Sequence, residues 1–249
     1  MPTPDKVREH ELLQLNRIER FALTLQKILE VELAKKVSKI NFKNSDKKKL
    51  VDLVLQLESV IRDANLDSEL EKIKEIYAKE ISFIRESFNY YQIPLEFNEQ
   101  DKELIRGIIQ LDTESVKNNM SGWMIDVRTS LISNAILQKI PDLDELSNIY
   151  GDRMAARVKT ELNTAASMFN GELSFQKATE VLGKDPLMLY VGVLDKLTRP
   201  FCRERVGKTY RLSEVKKMDN GQKLDVVTSK GGYNCRHIWA YVTDDYKAS

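Results

Sequence analysis

Apolar residues recur at intervals of three and four through most of the first 180 positions, which predicts a succession of helices. The clearest stripe runs from Leu70 to Phe88, and Asp67 is expected to cap the helix that carries it. Similar stripes run from Ile18 to Ile28 and from Leu50 to Ile61. Such faces are typical of helices that pack on one another, so the pattern predicts antiparallel packed helices or long coiled-coil-like arms.

The segment from Asn98 to Leu137 continues the helical pattern with one interruption. Either Asn98 or Asp101 is expected to begin this helix, because both side chains can accept hydrogen bonds from the first turn. The polar stretch Asn-Asn-Met-Ser-Gly at 118–122 predicts a turn or kink. The chain is expected to break again at Ile140-Pro141, since the residue before a proline disfavours helical geometry.

A further helix is predicted from about Ile149 to Phe169. Asn170-Gly171 is expected to end it, because glycine suits the left-handed conformation that follows many helices. A short helix is predicted next, from Ser174 to Leu182, with Gly183 closing it. The predicted helical section therefore extends to about residue 182.

The pattern changes after Pro186. Leu187 to Leu194 is short, apolar and partly β-branched, which predicts a buried strand. Lys208–Leu212 and Ile238–Thr243 are further predicted strands, and Ser213–Met218 predicts a small helical turn. The predicted fold class is α+β, mostly α: a helical N-terminal bundle or arm followed by a small C-terminal α+β domain with a short sheet, whose strands need the helices to cover them.

Composition indicates an ordinary folded protein. A chain of 249 residues can bury one sizeable core or two modest ones. No apolar run approaches the length that spans a bilayer, so no membrane partner is expected. The first residues lack the apolar core of a signal peptide, and the protein is therefore expected to fold in a cytoplasm.

Charge is balanced overall but unevenly distributed. The formal net charge of +1 gives the whole chain no bias toward nucleic acid. From Thr198 onward, however, eleven Lys and Arg residues face six Asp and Glu residues, so this segment carries +5 and the rest −4. The basic segment could lie near a polyanion, although a solvated surface accounts for it equally well on charge alone.

Both cysteines of the chain and one of its two histidines lie in the last fifty residues, at Cys202, Cys235 and His237. Thiolate and imidazole are the usual zinc ligands, so these residues are candidates to bind a structural zinc ion. No other cofactor is expected. A fourth ligand would come from Asp195, Glu204, water or another subunit. Two alternatives stay open: buried thiols beside a histidine that bonds a backbone carbonyl, or a disulfide between the cysteines under oxidising conditions.

Signals for catalysis are weak. The sequence has no Gly-rich phosphate loop, nucleophile elbow or metalloprotease helix. A dyad of Cys202 or Cys235 with His237 would lack the third group that orients the histidine. The chain is therefore expected not to be an enzyme, and no catalytic residue is assigned.

Four other side chains carry structural expectations. Asp195 is expected to pair with Arg199 and so to fix the end of the first strand to the turn that follows. Trp239 and Tyr233 are expected to pack in the core, with stacking on a base or on an arginine as the alternative. His10 lies in a charged helix and is expected to be exposed.

An ordered set of short motifs spans residues 147–241. In chain order they are Arg157-Val-Lys-Thr-Glu161, Asp195 with Thr198-Arg199-Pro200, Cys202, Gly207-Lys208, and Cys235-Arg236-His237. Their order and spacing resemble the C-terminal domain of the phage Mu F-like head morphogenesis proteins, which are minor head (minor capsid) proteins of tailed phages. The helices before them are not matched.

The resemblance implies a domain division and a function. Residues 1–146 would form a helical docking or arm region and 147–249 the Mu F-like α+β domain. The protein would be a structural virion protein, assembled in the bacterial host cytoplasm and incorporated into the phage head during capsid assembly. Its expected partners are the portal protein or the major capsid protein, with packaged DNA nearby. The alternative is a zinc-dependent nuclease or an injected effector enzyme, since related domains are fused to toxin modules.

Overall fold

The computed structural model describes residues 4–39 and 47–246. The helices are α1 (Pro4–Val37), α2 (Lys47–Asp63), α3 (Asp67–Leu70), α4 (Lys72–Tyr90), α5 (Glu99–Ile136), α6 (Leu143–Leu146), a π-helical turn (Ser147–Gly151), α7 (Asp152–Leu182), α8 (Pro200–Arg203), α9 (Leu212–Val215) and α10 (Val226–Ser229). The strands are β1 (Leu187–Gly192), β2 (Thr209–Arg211) and β3 (His237–Val242). The protein is thus α+β and mostly helical, with a short sheet near the C-terminus, as the sequence predicts.

The chain divides into two compact units, each discontinuous in sequence. The sheet unit comprises Met1–Arg17, Lys74–Arg106 and Leu162–Ser249, and the helical unit comprises Ile18–Ile73 and Gly107–Glu161. The predicted division into 1–146 and 147–249 follows the resemblance rather than these contacts, so it stays a prediction. In the described ranges, no helix combines the length and the apolar character that crossing a membrane requires.

The helical unit has an apolar core supplied by the predicted stripes. Its buried side chains include Ile18, Ala22, Leu25, Leu29, Leu57, Val60, Val116, Trp123, Val127, Leu131 and Val158. Polar contacts fix α1 against α7: Lys159 donates to Glu19 over 2.5 Å and Gln26 to Asp152 over 2.9 Å. In the stripe predicted on α2, Leu57 is buried, whereas the side chains of Leu50 and Leu53 lie outside the described residues.

The sheet unit is built on three antiparallel strands in the order β2-β1-β3. In the central strand, Leu187 is opposite Arg211 on one side, and Gly192 is opposite His237 on the other. All six residues of β3 are buried. This register matters for the site, because it places the end of β1 directly beside the start of β3.

Helices α4 and α7 supply the core of the sheet unit together with the strands. The ring of Tyr77 meets that of Phe169 edge-on, with 4.9 Å between centroids, and Phe88 lies 6.2 Å from Tyr241 in β3. Helix α1 joins them, since Gln14 donates from its amide to the carbonyl of Ile76 over 2.8 Å. The predicted dependence of the strands on helical cover is therefore present.

Two predictions about helix starts have different outcomes. Asn98 precedes α5 and accepts from the backbone of Asp101 over 2.9 Å, while the Asp101 carboxylate accepts from the backbone of Asn98 over 2.8 Å. This reciprocal capping confirms Asn98 as the start signal. Asp67 does not cap its helix: it is the first residue of α3, and Leu66 holds the cap position without a side-chain bond.

The predicted kink at 118–122 is wrong, because α5 runs unbroken from Glu99 to Ile136. Met120 and Trp123 are buried in the helical unit. Asn119 donates to Glu161 of α7 over 2.6 Å. Burial and this bond offset the low helix propensity of the polar stretch.

The predicted helix end at Asn170-Gly171 is also wrong, because α7 continues to Leu182. Asn170 is buried and donates to Glu80 over 2.9 Å. Gly171 allows a close approach of another segment: a β-carbon there would lie 2.5 Å from the Thr228 carbonyl oxygen. The glycine thus serves packing and not termination.

Candidate functional site

The turn after β1 is organised by its own side chains. The carboxylate of Asp195 accepts from the backbone of Leu197 over 2.9 Å, and the hydroxyl of Thr198 accepts from the backbone of Asp195 over 2.8 Å. Pro200 then opens the single turn of α8, as prolines often do at a first helical position. This geometry places Cys202 on the buried side of α8, 1% exposed.

Two arginines join this turn to the loop before β3. Arg199 donates to the carbonyl of Gly231 over 2.9 Å and to that of Tyr233 over 2.6 Å. Arg236 forms a bidentate salt bridge with Asp195: its Nη1 lies 2.7 Å from Oδ2 and its Nη2 lies 2.7 Å from Oδ1. The predicted pair of Asp195 with Arg199 is therefore wrong, because the fork geometry of Arg236 takes both carboxylate oxygens.

The structure brings Cys202, Cys235 and His237 together, as the sequence suggested. All three are buried, and their ligand atoms lie within 4.8 Å of one another. The two Sγ atoms are 3.8 Å apart, and the Sγ of Cys235 is 3.8 Å from Nδ1 of His237. Both cysteines are free thiols.

Main-chain and hydroxyl groups orient the cluster. The hydroxyl of Tyr190 donates to the Sγ of Cys202 over 3.3 Å, and the backbone N–H of Gly231 donates to that of Cys235 over 3.2 Å. Nε2 of His237 lies 3.2 Å from the carbonyl oxygen of Val193. A carbonyl can only accept, so Nε2 carries the proton and the lone pair of neutral His237 is on Nδ1, toward the cysteines.

Two glycines are required by these close contacts. A β-carbon at Gly231 would lie 2.3 Å from the Sγ of Cys202, and one at Gly192 would lie 2.2 Å from Cδ2 of His237. Any larger residue would therefore displace the cluster. Gly231 belongs to the Gly-rich turn that precedes Cys235 in the sequence, whereas no motif singles out Gly192.

The two thiols differ in acidity. The hydrogen bond from Cys202 holds the pKa of Cys235 well below its usual range against the effect of burial. The same contact, with burial, raises the pKa of Cys202. Burial and the neighbouring sulfurs also raise the pKa of Tyr190, which therefore stays protonated and donates.

The structure places neither of the two acidic residues suggested as a fourth zinc ligand, Asp195 and Glu204, within the cluster. The carboxylate of Asp195 is occupied by Arg236. The side chain of Glu204 is 71% exposed and pairs with Arg205. In the part of the chain that the structure describes, neither acid belongs to the cluster of potential ligands. Of the candidates for a fourth zinc ligand that the sequence suggests, water and a residue of another subunit remain.

A cavity of about 50 Å³ adjoins the cluster within the sheet unit. Cys235 and His237 line it together with three charged side chains from elsewhere in the sequence, which are Glu11, Glu80 and Lys230. None of these three residues lies in a sequence motif, and none was predicted as a site residue. The hydrophobic pattern of α1 and α4 gives no sign that their polar positions face the interior.

The charged groups of this cavity are unevenly paired. Glu80 is buried and bonds Nε2 of His10 over 3.0 Å, and His10 stacks on Phe83; the expectation that His10 is exposed is wrong. Lys230 is 1% exposed and donates to the carbonyl of Ser167. Among the described residues, no hydrogen-bond donor contacts the carboxyl of Glu11. The cavity therefore offers an acid and a cation to a small polar occupant.

The two aromatic residues of the motif region have different positions. Trp239 is buried, and its indole N–H donates to the carbonyl of Val226 over 2.9 Å. Tyr233 is 54% exposed. Core packing is confirmed for Trp239 and wrong for Tyr233, because Tyr233 lies on the exposed loop that Arg199 fixes through its carbonyl.

Burial raises the pKa of Glu11 from 4.5 to about 9, and the charge of Cys235 adds to the effect. Between these values the unfolded chain releases a proton that the folded protein keeps, so stability falls as pH rises. We expect Glu11→Gln to reduce this decline between pH 5 and 8, by at most about 1.4 kcal/mol for each pH unit. Urea denaturation across that interval measures it.

The matched control is Glu9→Gln, an exposed glutamate on the same helix. Its pH dependence should equal that of the unmodified protein. Burial also lowers the pKa of Lys230 to about 8, and that shift acts in the opposite sense above pH 8. The two variants are therefore compared only below pH 8. An unchanged slope for Glu11→Gln would show that Glu11 is ionised in the folded protein.

Comparison with known protein families, with curated proteins and with solved structures finds no match to this chain.

Proposed function

We propose that the chain is a structural minor head protein of a tailed phage, incorporated during capsid assembly and associated with the portal, the capsid interior or the packaged DNA. One observation carries the proposal. The residues behind the resemblance bond to one another and to main-chain groups: Arg236 to Asp195, and Arg199 to the loop before β3. Side chains used in this way stabilise a domain, and they are not free to bind a substrate.

An exposed apolar segment supports a docking role for the region before residue 147. Leu137 and Ile140 follow α5 and are 60% and 67% exposed. Ile136, the last residue of the helix, is 64% exposed. Large apolar side chains clustered on a surface often mark contacts with other proteins. We assign this segment to the contact with the portal or capsid protein.

The test counts the protein in purified, DNA-filled particles by quantitative mass spectrometry, against portal and major capsid subunits. We expect a reproducible number of copies, low relative to the major capsid protein. The variant carrying both Leu137→Asp and Ile140→Asp should fold normally, since both residues are exposed, yet fall at least about tenfold in copy number, the loss that about 1.4 kcal/mol of contact energy gives.

The control variant is Leu111→Asp, which lies within α5 and is 71% exposed. It should be incorporated like the unmodified protein. Equal incorporation of the double variant would contradict the assigned contact. Complete absence of the unmodified protein from the particles would overturn the structural role. That result would favour the zinc-dependent nuclease, which the charged cavity beside the cysteines supports; an injected effector would still be found in the particles.

A further inference from the structure

We propose that Cys202, Cys235 and His237 bind one zinc ion, and that its fourth position faces the adjoining cavity and holds a water molecule. This concerns the chemistry of the sheet unit and does not depend on the virion role.

The sulfur positions already fit a tetrahedral ion. Two sulfurs about 2.3 Å from a tetrahedral zinc lie about 3.8 Å apart, and the two Sγ atoms here are 3.8 Å apart. A sulfur and an imidazole nitrogen on such an ion lie about 3.6 Å apart, against 3.8 Å between Cys235 and His237. The ligand atoms of Cys202 and His237 lie within 4.8 Å of each other, so this pair must approach by at most about 1.2 Å to bind the same ion.

The surrounding groups match those of a metal centre. A ligating histidine usually donates its second ring N–H to a carbonyl or carboxylate, as Nε2 of His237 does to Val193. The hydroxyl of Tyr190 and the backbone N–H of Gly231 donate to the sulfurs, which would stabilise thiolates. Two thiolates neutralise Zn²⁺, so the occupied site adds no net charge to the buried interior.

The fourth coordination position of the proposed zinc ion faces the cavity. Cys235 and His237 belong both to the cluster and to the cavity wall, so an ion between them borders that space. Three protein ligands with water as the fourth are typical of zinc sites that exchange a ligand. The cavity of about 50 Å³ has room for a water molecule. The carboxyl of Glu11 lines the same space and can accept a hydrogen bond from that water.

The experiment uses the full chain, purified under reducing conditions, stripped with a chelator and titrated with Co²⁺. We expect one equivalent of Co²⁺, with the intense visible absorption of a tetrahedral site and a thiolate-to-cobalt charge-transfer band. The variants Cys202→Ser, Cys235→Ser and His237→Gln should each weaken binding at least 100-fold. His10→Gln is the matched control, because His10 lines the same cavity outside the cluster, and it should still bind one equivalent.

Tyr190→Phe keeps the ring and removes only the hydroxyl that donates to Cys202. It should weaken binding about 10- to 100-fold, as expected for a group that supports a ligand. Circular dichroism would reveal whether a cluster variant fails to fold. If one does, metal binding by Tyr190→Phe still tests the zinc site. Uptake of less than about 0.1 equivalent by the unmodified chain, or equal binding by the cluster variants, would overturn the zinc site.

Azide tests the fourth position. An exchangeable water should be replaced by azide, which would shift the cobalt absorption bands of the unmodified chain. An unchanged spectrum would show a closed site and would overturn the open position. Neither result bears on the number of copies in phage particles, so failure of the zinc proposal and failure of the virion role are distinguishable.

Discussion

Lys177→Met is expected to lower the free energy of unfolding by about 3 to 5 kcal/mol, the usual cost of leaving a buried charge without its partner. Lys177 donates to the carboxylate of Asp101 over 2.8 Å, and their side chains are 4% and 0% exposed. Burial alone would lower the pKa of Lys177, but its hydrogen bonds to Asp101 and Glu180 raise it. Lys177 is therefore charged at neutral pH, where urea denaturation would measure the loss.

The matched control lies in the first turn of α5, next to Asp101. Lys102 donates to Glu99 over 2.5 Å, but the two side chains are 55% and 79% exposed. Lys102→Met should cost less than about 1 kcal/mol, because water solvates the remaining charge. Adding Asp101→Asn to Lys177→Met should recover part of the loss, since no buried charge is left unpaired. Equal losses for Lys177→Met and Lys102→Met would show that burial does not set the energy of this pair.

Strand positions in the sheet unit were predictable from the sequence. The apolar block after Pro186 forms β1, and the block that contains Trp239 forms β3. These strands are buried, so their composition is constrained along their whole length. Glycine and polar residues between them mark the turns. Their order in the sheet was not predictable, because it depends on pairing between distant segments.

The candidate site was predictable only in part. Cys202, Cys235 and His237 could be found because cysteine and histidine are scarce in this chain. Glu11, Glu80 and Lys230 could not, since acidic and basic residues are common and are usually solvated. Their position around the cavity depends on which helices cover the sheet, and a local pattern does not contain that information. The pairing of Asp195 with Arg236 rather than Arg199 depends in the same way on the loop before β3.

The sequence predicts a helix end at Gly171, but in the structure this residue lies inside α7, close to Thr228. Gly171→Ala places a β-carbon 2.5 Å from the carbonyl oxygen of Thr228 and 3.0 Å from Nζ of the buried Lys230. Alanine favours the helix by up to about 1 kcal/mol. The clash involves backbone that cannot move without disturbing α10, and such overpacking costs about 1 to 3 kcal/mol. We expect a net destabilisation of about 1 to 2 kcal/mol by urea denaturation.

Gly122→Ala is the informative comparison, because sequence patterns treat the two glycines alike. Both follow polar residues: Gly122 was expected to mark a kink in a predicted helix, and Gly171 was expected to end one. At Gly122 no atom lies within 4 Å of an added β-carbon. This substitution should therefore stabilise the protein by about 0.5 to 1 kcal/mol through helix propensity alone. Opposite signs at the two positions would establish that Gly171 is required by the approach of Thr228. Stabilisation by both substitutions would show that this approach is not tight in solution.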